Sequence, residues 1–218
     1  ALTEYLVHPA NLVFRLPDEL SLDEGALVEP ASVATHAVEM AGPLLGRTVV
    51  VLGSGAVGLM VSMVARMAGA RCVVAVDLKQ RRRRGRAGAG LKAGAAVNAR
   101  EADIAGRIRQ IVGRYGADVV FETAGAVATV ELGLAVVKRR GRILVVGTVP
   151  GEAPVSFLKI NREVTIQTVF RSCNSCPTTI ALMRSGAVNV SSLVDRHFDY
   201  ADVQKAFEVA AGEPEEFT

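Results

Sequence analysis

A doubly wound α/β fold, a parallel sheet covered by helices on both faces, is what this sequence predicts, and three observations predict it. Short β-branched runs alternate with helical patterns along most of the chain. The runs are apolar almost throughout, with no polar face, as expected of strands buried on both sides. A glycine-rich turn joins the first run to the first helical pattern. Right-handed crossovers between parallel strands then leave few topologies open.

The predicted strands are TVVVLG (48–53), CVVAVD (72–77), AAVNA (95–99), ADVVFETAG (117–125), GRILVVGTV (141–149) and VTIQTVF (164–170). Candidate helices at 56–69, 79–93, 101–114 and 126–139 fill the gaps between the first five. Met60, Met63 and Met67 lie at helical spacing on the first of these and read as core against the sheet. The run 164–170 closes the sheet as an end strand, with unpaired amides along its edge.

The flanks differ from this middle part. Residues 1–34 carry an alternating, strand-like start, a Pro17–Asp18 turn and a short helix opened by a capping box of Ser21 with Glu24. Residues 186–218 hold a short strand and then a helix from about Asp199 to Ala210. The organisation expected is a sheet domain over 35–185, flanked on both sides by pieces of a second domain. With Ala as first residue and EEFT completing no element, both ends read as cut.

A chain of 218 residues, half of them apolar, is long enough to bury the full core of one α/β domain. Three cysteines, Cys72, Cys173 and Cys176, are too few for a disulfide framework and fit a reducing compartment, so a cytoplasmic location is expected. The apolar stretches break before bilayer length, and no charged-then-apolar order opens the chain, which argues against a membrane partner. A net charge of +3, no Trp and few aromatics argue against nucleic acid.

The glycine turn is Gly53-Ser54-Gly55-Ala56-Val57-Gly58, a G-x-G-x-x-G between strand and helix. Gly53 permits the tight turn, Gly55 lets a pyrophosphate approach the backbone, and Gly58 lets the helix pack on the sheet with its N-terminal amides facing phosphate. Asp77 ends the second strand 19 residues after Gly58, where a carboxylate accepts the ribose hydroxyls of adenosine. Together these specify a Rossmann fold that binds a dinucleotide. Asp77 also selects between cofactors. A carboxylate about 4 Å from a 2′-phosphate, at an effective dielectric of about 20, opposes it by about 4 kcal/mol per unit charge. An exposed arginine returns about 1 kcal/mol or less, so NAD is expected over NADP.

Directly after Asp77 comes LKQRRRRGRAGAG, with four consecutive arginines, Arg81 to Arg84. Adjacent arginines cover every face of a helix, and Gly85, Gly88 and Gly90 each cost about 1 kcal/mol relative to Ala. The expectation is a poorly ordered or loop-extended second helix with its arginines in solvent. The pair Cys173 and Cys176 forms a C-x-x-C, but a tetrahedral metal site needs two further ligands and the remaining cysteine lies on an interior strand. His8, His36 and His197 each stand apart from other metal-type residues in the sequence.

The turn and Asp77, together with LVEP (27–30), FETAGA (121–126), VVGT (145–148), VFRSCNSCP (169–177) and DRHFDYADVQKAFE (195–208), resemble the zinc-dependent medium-chain dehydrogenases, nearest to the sorbitol (polyol) branch. The resemblance covers essentially the whole chain. It implies a Rossmann domain with flanking fragments of a GroES-like catalytic domain. It also implies cofactor contacts at Gly53, Ser54, Gly55, Ala56, Val57, Gly58, Asp77, Thr123, Gly125, Gly147 and Val169. Glu29 matches the glutamate beside the catalytic zinc, touching the metal or its water. Arg171 matches an arginine that faces both cofactor and substrate. Relatives often carry Tyr after that arginine, where this chain has Ser172.

The activity implied is hydride transfer from a secondary alcohol or polyol to NAD, with Zn in the parent enzyme. The family's upstream Cys and Gly-His-Glu ligands have no counterpart in the sequence, so the chain is expected to bind NAD without oxidising sorbitol. A threonine or butanediol dehydrogenase relative, or a non-catalytic NAD-binding module, are the alternatives. Relatives pair through the edge near 164–170, which implies a homodimer or homotetramer.

Overall fold

A computed structural model describes residues 3–78, 95–160, 162–194 and 196–212. Six strands, β1 (Thr48–Leu52), β2 (Cys72–Asp77), β3 (Ala96–Asn98), β4 (Ala117–Glu122), β5 (Val137–Val145) and β6 (Thr165–Thr168), form one sheet in the order β3-β2-β1-β4-β5-β6. Every pairing is parallel. The doubly wound fold expected from the alternating runs is therefore present, with its topological switch between β1 and β4.

Two-sided burial explains the strand sequences. Successive side chains of a strand point to opposite faces. Val49, Val51, Val73, Val119, Phe121 and Leu144 enter one core, with α1 (Leu22–Ala41), α2 (Ala56–Met67) and α6 (Cys176–Arg184). Val50, Leu52, Val74, Val76, Val120 and Ile143 enter the other, with α3 (Ile104–Val112) and α4 (Val127–Val136). β1 is buried at all five positions, and its one polar residue, Thr48 at the N-terminal end, bonds its hydroxyl to Asp118.

Several boundaries differ from the sequence expectation. The capping box is present: Glu24 N donates to Ser21 Oγ at 3.2 Å, and Ser21 N donates to Glu24 Oε2 at 2.9 Å. The helix it opens is not short, because α1 runs 20 residues and passes through Pro30. Its buried face, Ala31, Ala34, Ala37, Val38 and Ala41, begins just after that proline, so packing carries the helix onward. The strand-like start of the chain holds no strand among the described residues, only a 3₁₀ turn at Ala10–Leu12. Tyr5, Val7 and Val13 are exposed there, with no neighbouring strand to pair with.

The helix expected to run to 139 ends at Val136, and β5 starts at once, four residues before 141. Ala117 pairs with Val137, after which the register shifts so that Val119 faces Arg142. Arg140 takes a positive φ of 59° in this irregular stretch, and a Cβ on Gly141 would lie 2.6 Å from Val137 Cγ2. Close approach, which hydrophobic period does not register, sets this boundary. Met60 and Met63 are core as expected, but Met67 turns to solvent at the last turn of α2.

Over 186–212 no strand forms among the described residues. A 3₁₀ turn at Ser191–Leu193 and another at Tyr200–Asp202 lead into α7 (Val203–Gly212). A four-residue helix, α5 (Phe157–Ile160), precedes β6. The expected helix over 79–93, with Arg81 to Arg84, lies outside the described residues.

At the N-terminal ends of the strands, Asp118 draws three chain segments together. Its carboxylate accepts from Thr48 N at 2.9 Å, Thr48 Oγ1 at 2.8 Å and Arg47 at 3.1 Å, and pairs with Lys138. Burial works against its charge, but Lys138, both Thr48 donors and Arg47 outweigh burial and hold its carboxyl well below the usual carboxylate range. A carboxyl depressed on folding stabilises the native state above its unfolded value of about 4, and that contribution is lost as pH falls further. Asp118→Asn is therefore expected to cost about 1–2 kcal/mol at neutral pH, a few degrees in Tm, after allowing for solvent screening. In melts taken at falling pH, the gap to wild type should narrow below about pH 4.

Candidate cofactor site

The C-terminal ends of β1 and β4 are where the sheet stops and its backbone becomes available. At the end of β1, Gly53 adopts a φ of 101° and donates its N–H to Val76 O at 2.8 Å. Thr123, just past β4, donates its N–H to Leu52 O at 2.8 Å, and its hydroxyl lies 3.1 Å from Leu52 O and 3.0 Å from Gly53 O. A Cβ on Gly58 would overlap the Gly53 carbonyl oxygen and reach within 2.7 Å of Thr123 Oγ1. This is the close helix-to-strand packing for which the third glycine of the motif exists.

Helix α2 starts at Ala56, and its N-cap Gly55 supplies no side-chain cap. Ala56, Val57 and Gly58 thus present their amides without a competing side-chain oxygen, and the first turn holds no acidic residue. Ser54 binds the turn to the second strand: its N–H donates to Asp77 Oδ2 at 2.7 Å. Its hydroxyl is buried, with no hydrogen-bond partner among the described residues. Asp77 is buried at the end of β2, 8% exposed, and its carboxylate is held by the turn beside it.

Across the switch, Glu122 is fully buried at the end of β4. Its Oε1 accepts from Ala124 N at 2.9 Å and Gly125 N at 2.8 Å, while its main-chain oxygen accepts from Val146 N at 2.8 Å and Gly147 N at 3.0 Å. Gly125 has a φ of 69°, and a Cβ there would lie 2.7 Å from Thr148 O. Thr123, Gly125 and Gly147 therefore share one stitched edge with the glycine turn. Glu122 is a residue that sequence reasoning passed over, since a single acid closing an apolar run reads as the point where a strand leaves the core.

Val169 sits buried just beyond β6, with its N–H on Val145 O at 2.8 Å. Arg171 has a positive φ of 53° and places its guanidinium carbon 5.6 Å from the ring centre of Phe170, with both residues exposed. Glu29 is exposed on α1, one residue before Pro30. Among the described residues no hydrogen bond or ion pair joins Glu29 to Arg171.

His197 does not stand alone, as the sequence suggested. Its Nε2 lies 2.8 Å from Asp23 Oδ2, and nearby Ser191 Oγ donates to Glu24 Oε1 at 3.0 Å. Both contacts bring the stretch after α6 onto the start of α1. His36 lies 4.0 Å from Glu39 within α1. The sulfur of Cys176 accepts from Ser32 Oγ at 3.4 Å, and Thr179 bonds Thr35 at 2.9 Å, joining α6 to α1. Among the described residues no group of three or more His, Cys, Asp or Glu is placed to hold a metal ion. No described helix is long and apolar enough to cross a membrane.

Comparison with known proteins adds a family to this geometry. A zinc-binding dehydrogenase family model matches residues 56–185. An uncharacterized zinc-type alcohol dehydrogenase-like protein of Escherichia coli is 45% identical over 208 residues, 95% of this chain and 59% of its own length. The sorbitol dehydrogenase of Bacillus subtilis is 36% identical over 96% of this chain and 60% of its own length. The structure superposes at a TM-score of 0.92 and 41% identity on an Escherichia coli oxidoreductase/dehydrogenase of unknown specificity involved in membrane biogenesis, covering 96% of this chain and 60% of that one. It also superposes, at 0.88 and 27% identity, on a zinc-binding dehydrogenase from Sinorhizobium meliloti bound to NADP, covering 94% and 61%. The chain thus spans about three fifths of the length of the relatives it matches. The resemblance to the sorbitol branch of the medium-chain dehydrogenases holds along the whole sheet domain. Because the matching model covers about three fifths of its residues, from the start of α2 to just past the end of α6, the chain belongs to the zinc-binding dehydrogenase family.

Proposed function

We propose that these residues form the NAD-holding part of a zinc-dependent alcohol or polyol dehydrogenase. One observation carries the reading: beside the switch between β1 and β4, the glycine turn after β1 and Asp77 at the end of β2 are locked together through the Ser54 amide. The amides of Ala56, Val57 and Gly58 would take the pyrophosphate, and Asp77 the adenosine ribose. The buried, unpartnered Ser54 hydroxyl and the tight Gly53–Gly58 contact suit a ligand lying directly on the backbone. Bound NAD supplies a carbon that accepts hydride from the alcohol.

The chain's own residues then have distinct tasks. Thr123, Gly125, Gly147 and Val169 line the ends of β4, β5 and β6, where the second mononucleotide lies in this fold. Arg171, exposed beside Phe170, would present its fork of donors to substrate hydroxyls and cofactor. Glu29 would stand on the metal side of the substrate. The described residues do not themselves fit a zinc centre, so the metal chemistry of the family has no seat among them. The exposed edge of β6, with Ile166 at its surface, is the surface through which two copies would join their sheets.

The cofactor reading is tested by Asp77→Asn, which keeps an acceptor for Ser54 N but removes the charge. Wild type should bind NAD more tightly than NADP, and the variant should narrow that preference about ten- to a hundredfold in titration calorimetry. Equal discrimination by both proteins would overturn the reading. The edge is tested by light scattering, where a dimer or tetramer mass is expected at micromolar concentration; a clean monomer would count against it.

A further inference from the structure

We propose that Glu122 is a positioning residue for the second half of the dinucleotide, an inference that rests on the NAD reading above. In a doubly wound sheet each half takes one mononucleotide. The β1–β3 half carries the glycine turn and Asp77, which leaves the nicotinamide half to the ends of β4, β5 and β6. The strands end at Glu122 and Val145, and just beyond them Thr123 N still bonds Leu52 O while Val146 N and Gly147 N bond the Glu122 main-chain oxygen. The amides of Ala124 and Gly125, farther along the turn, are held by the Glu122 side chain.

Two successive amides, Ala124 N and Gly125 N, converge on one carboxylate oxygen at 2.9 and 2.8 Å. The Thr129 hydroxyl lies 2.7 Å from the same oxygen and 2.7 Å from Ala126 O, serving one of them at a time with its single proton. Converging amides of this kind are what a turn otherwise offers to an external anion, and here an internal carboxylate occupies them. The second oxygen, Oε2, is buried without a hydrogen-bond partner among the described residues, 2.8 Å from where a Cβ on Gly147 would stand. That same Cβ would overlap Gly125 N. Glu122 therefore clamps the turn after β4 with Oε1, abuts the turn after β5 with Oε2, and receives Val146 N and Gly147 N on its main-chain oxygen. A residue needed only for folding has no reason to act on NAD more than on ADP, which lacks the nicotinamide half. A residue that sets the second half does.

The test measures dissociation constants for NAD and for ADP, with Tm, in wild type, Glu122→Ala, Glu122→Gln and Thr129→Val. Glu122→Ala should weaken NAD about tenfold and leave ADP within about twofold. Glu122→Gln, whose amide oxygen still accepts both main-chain amides, should stay within about threefold of wild type for NAD. If the alanine variant does not fold, Thr129→Val at its half-buried helix position decides, with an expected loss of about threefold for NAD and none for ADP. NAD affinity that is unchanged in both Glu122→Ala and Thr129→Val, or that falls in step with ADP, overturns the inference. Wild type that fails to bind NAD overturns the cofactor reading, and this inference with it.

Discussion

Strand β1 has no solvent side, and most of the architecture follows from that. Its residues alternate between two cores, so helices must cover both faces and every polar backbone group along it must be taken up by β2 and β4. The chain builds outward from β1 to β3, then crosses back to β4 on the other side. Connections leaving β1 and β4 diverge at that crossing, and a crevice opens where the ladders end. The site is located there because it is the place where a sheet buried on both faces still has amides to offer.

Charge is handled in the same currency at both ends of the sheet. Asp77, Glu122 and Asp118 are the carboxylates drawn into or near the core, and each accepts a main-chain amide: Ser54, Ala124 with Gly125, and Thr48 respectively. An amide is fixed by the strand or turn it belongs to, so the carboxylate inherits that fixed geometry at no side-chain entropy cost to its partner. Flexible cations join at Asp118, where Arg47 and Lys138 reach in from the surface. The three acids therefore act as joints between consecutive segments, one for the first turn, one for the fourth and fifth strands, and one for the opposite end.

How much of this was legible depended on whether the signal was local. The glycine turn, Asp77 and the Ser21–Glu24 capping box are short-range patterns, and the structure places the turn beside the acid as the spacing required. Glu122 was not legible as a clamp, because its partners are backbone amides two and three residues on, which any sequence supplies. The passage of α1 through Pro30 was hidden because its cause is packing on α2 and α6, far along the chain. At 137–141 the helix-to-strand boundary is set by pairing with Ala117 and by the space beside Gly141, neither of which has a period. His197 and Asp23 lie 174 positions apart, a separation no local pattern spans.

That last contact and its neighbour, Ser191 with Glu24, bear on the order in which the molecule assembles. Entropy lost on closing a loop rises slowly with its length, but it is lost before the contact returns anything. The βα units can form from near neighbours in sequence. The contacts of Ser191 and His197 on α1 span most of the chain and lie at the exposed surface. Held by exposed side chains at one end and by buried alanines at the other, α1 is expected to exchange the amides of its capped end sooner than those of the end buried against α2.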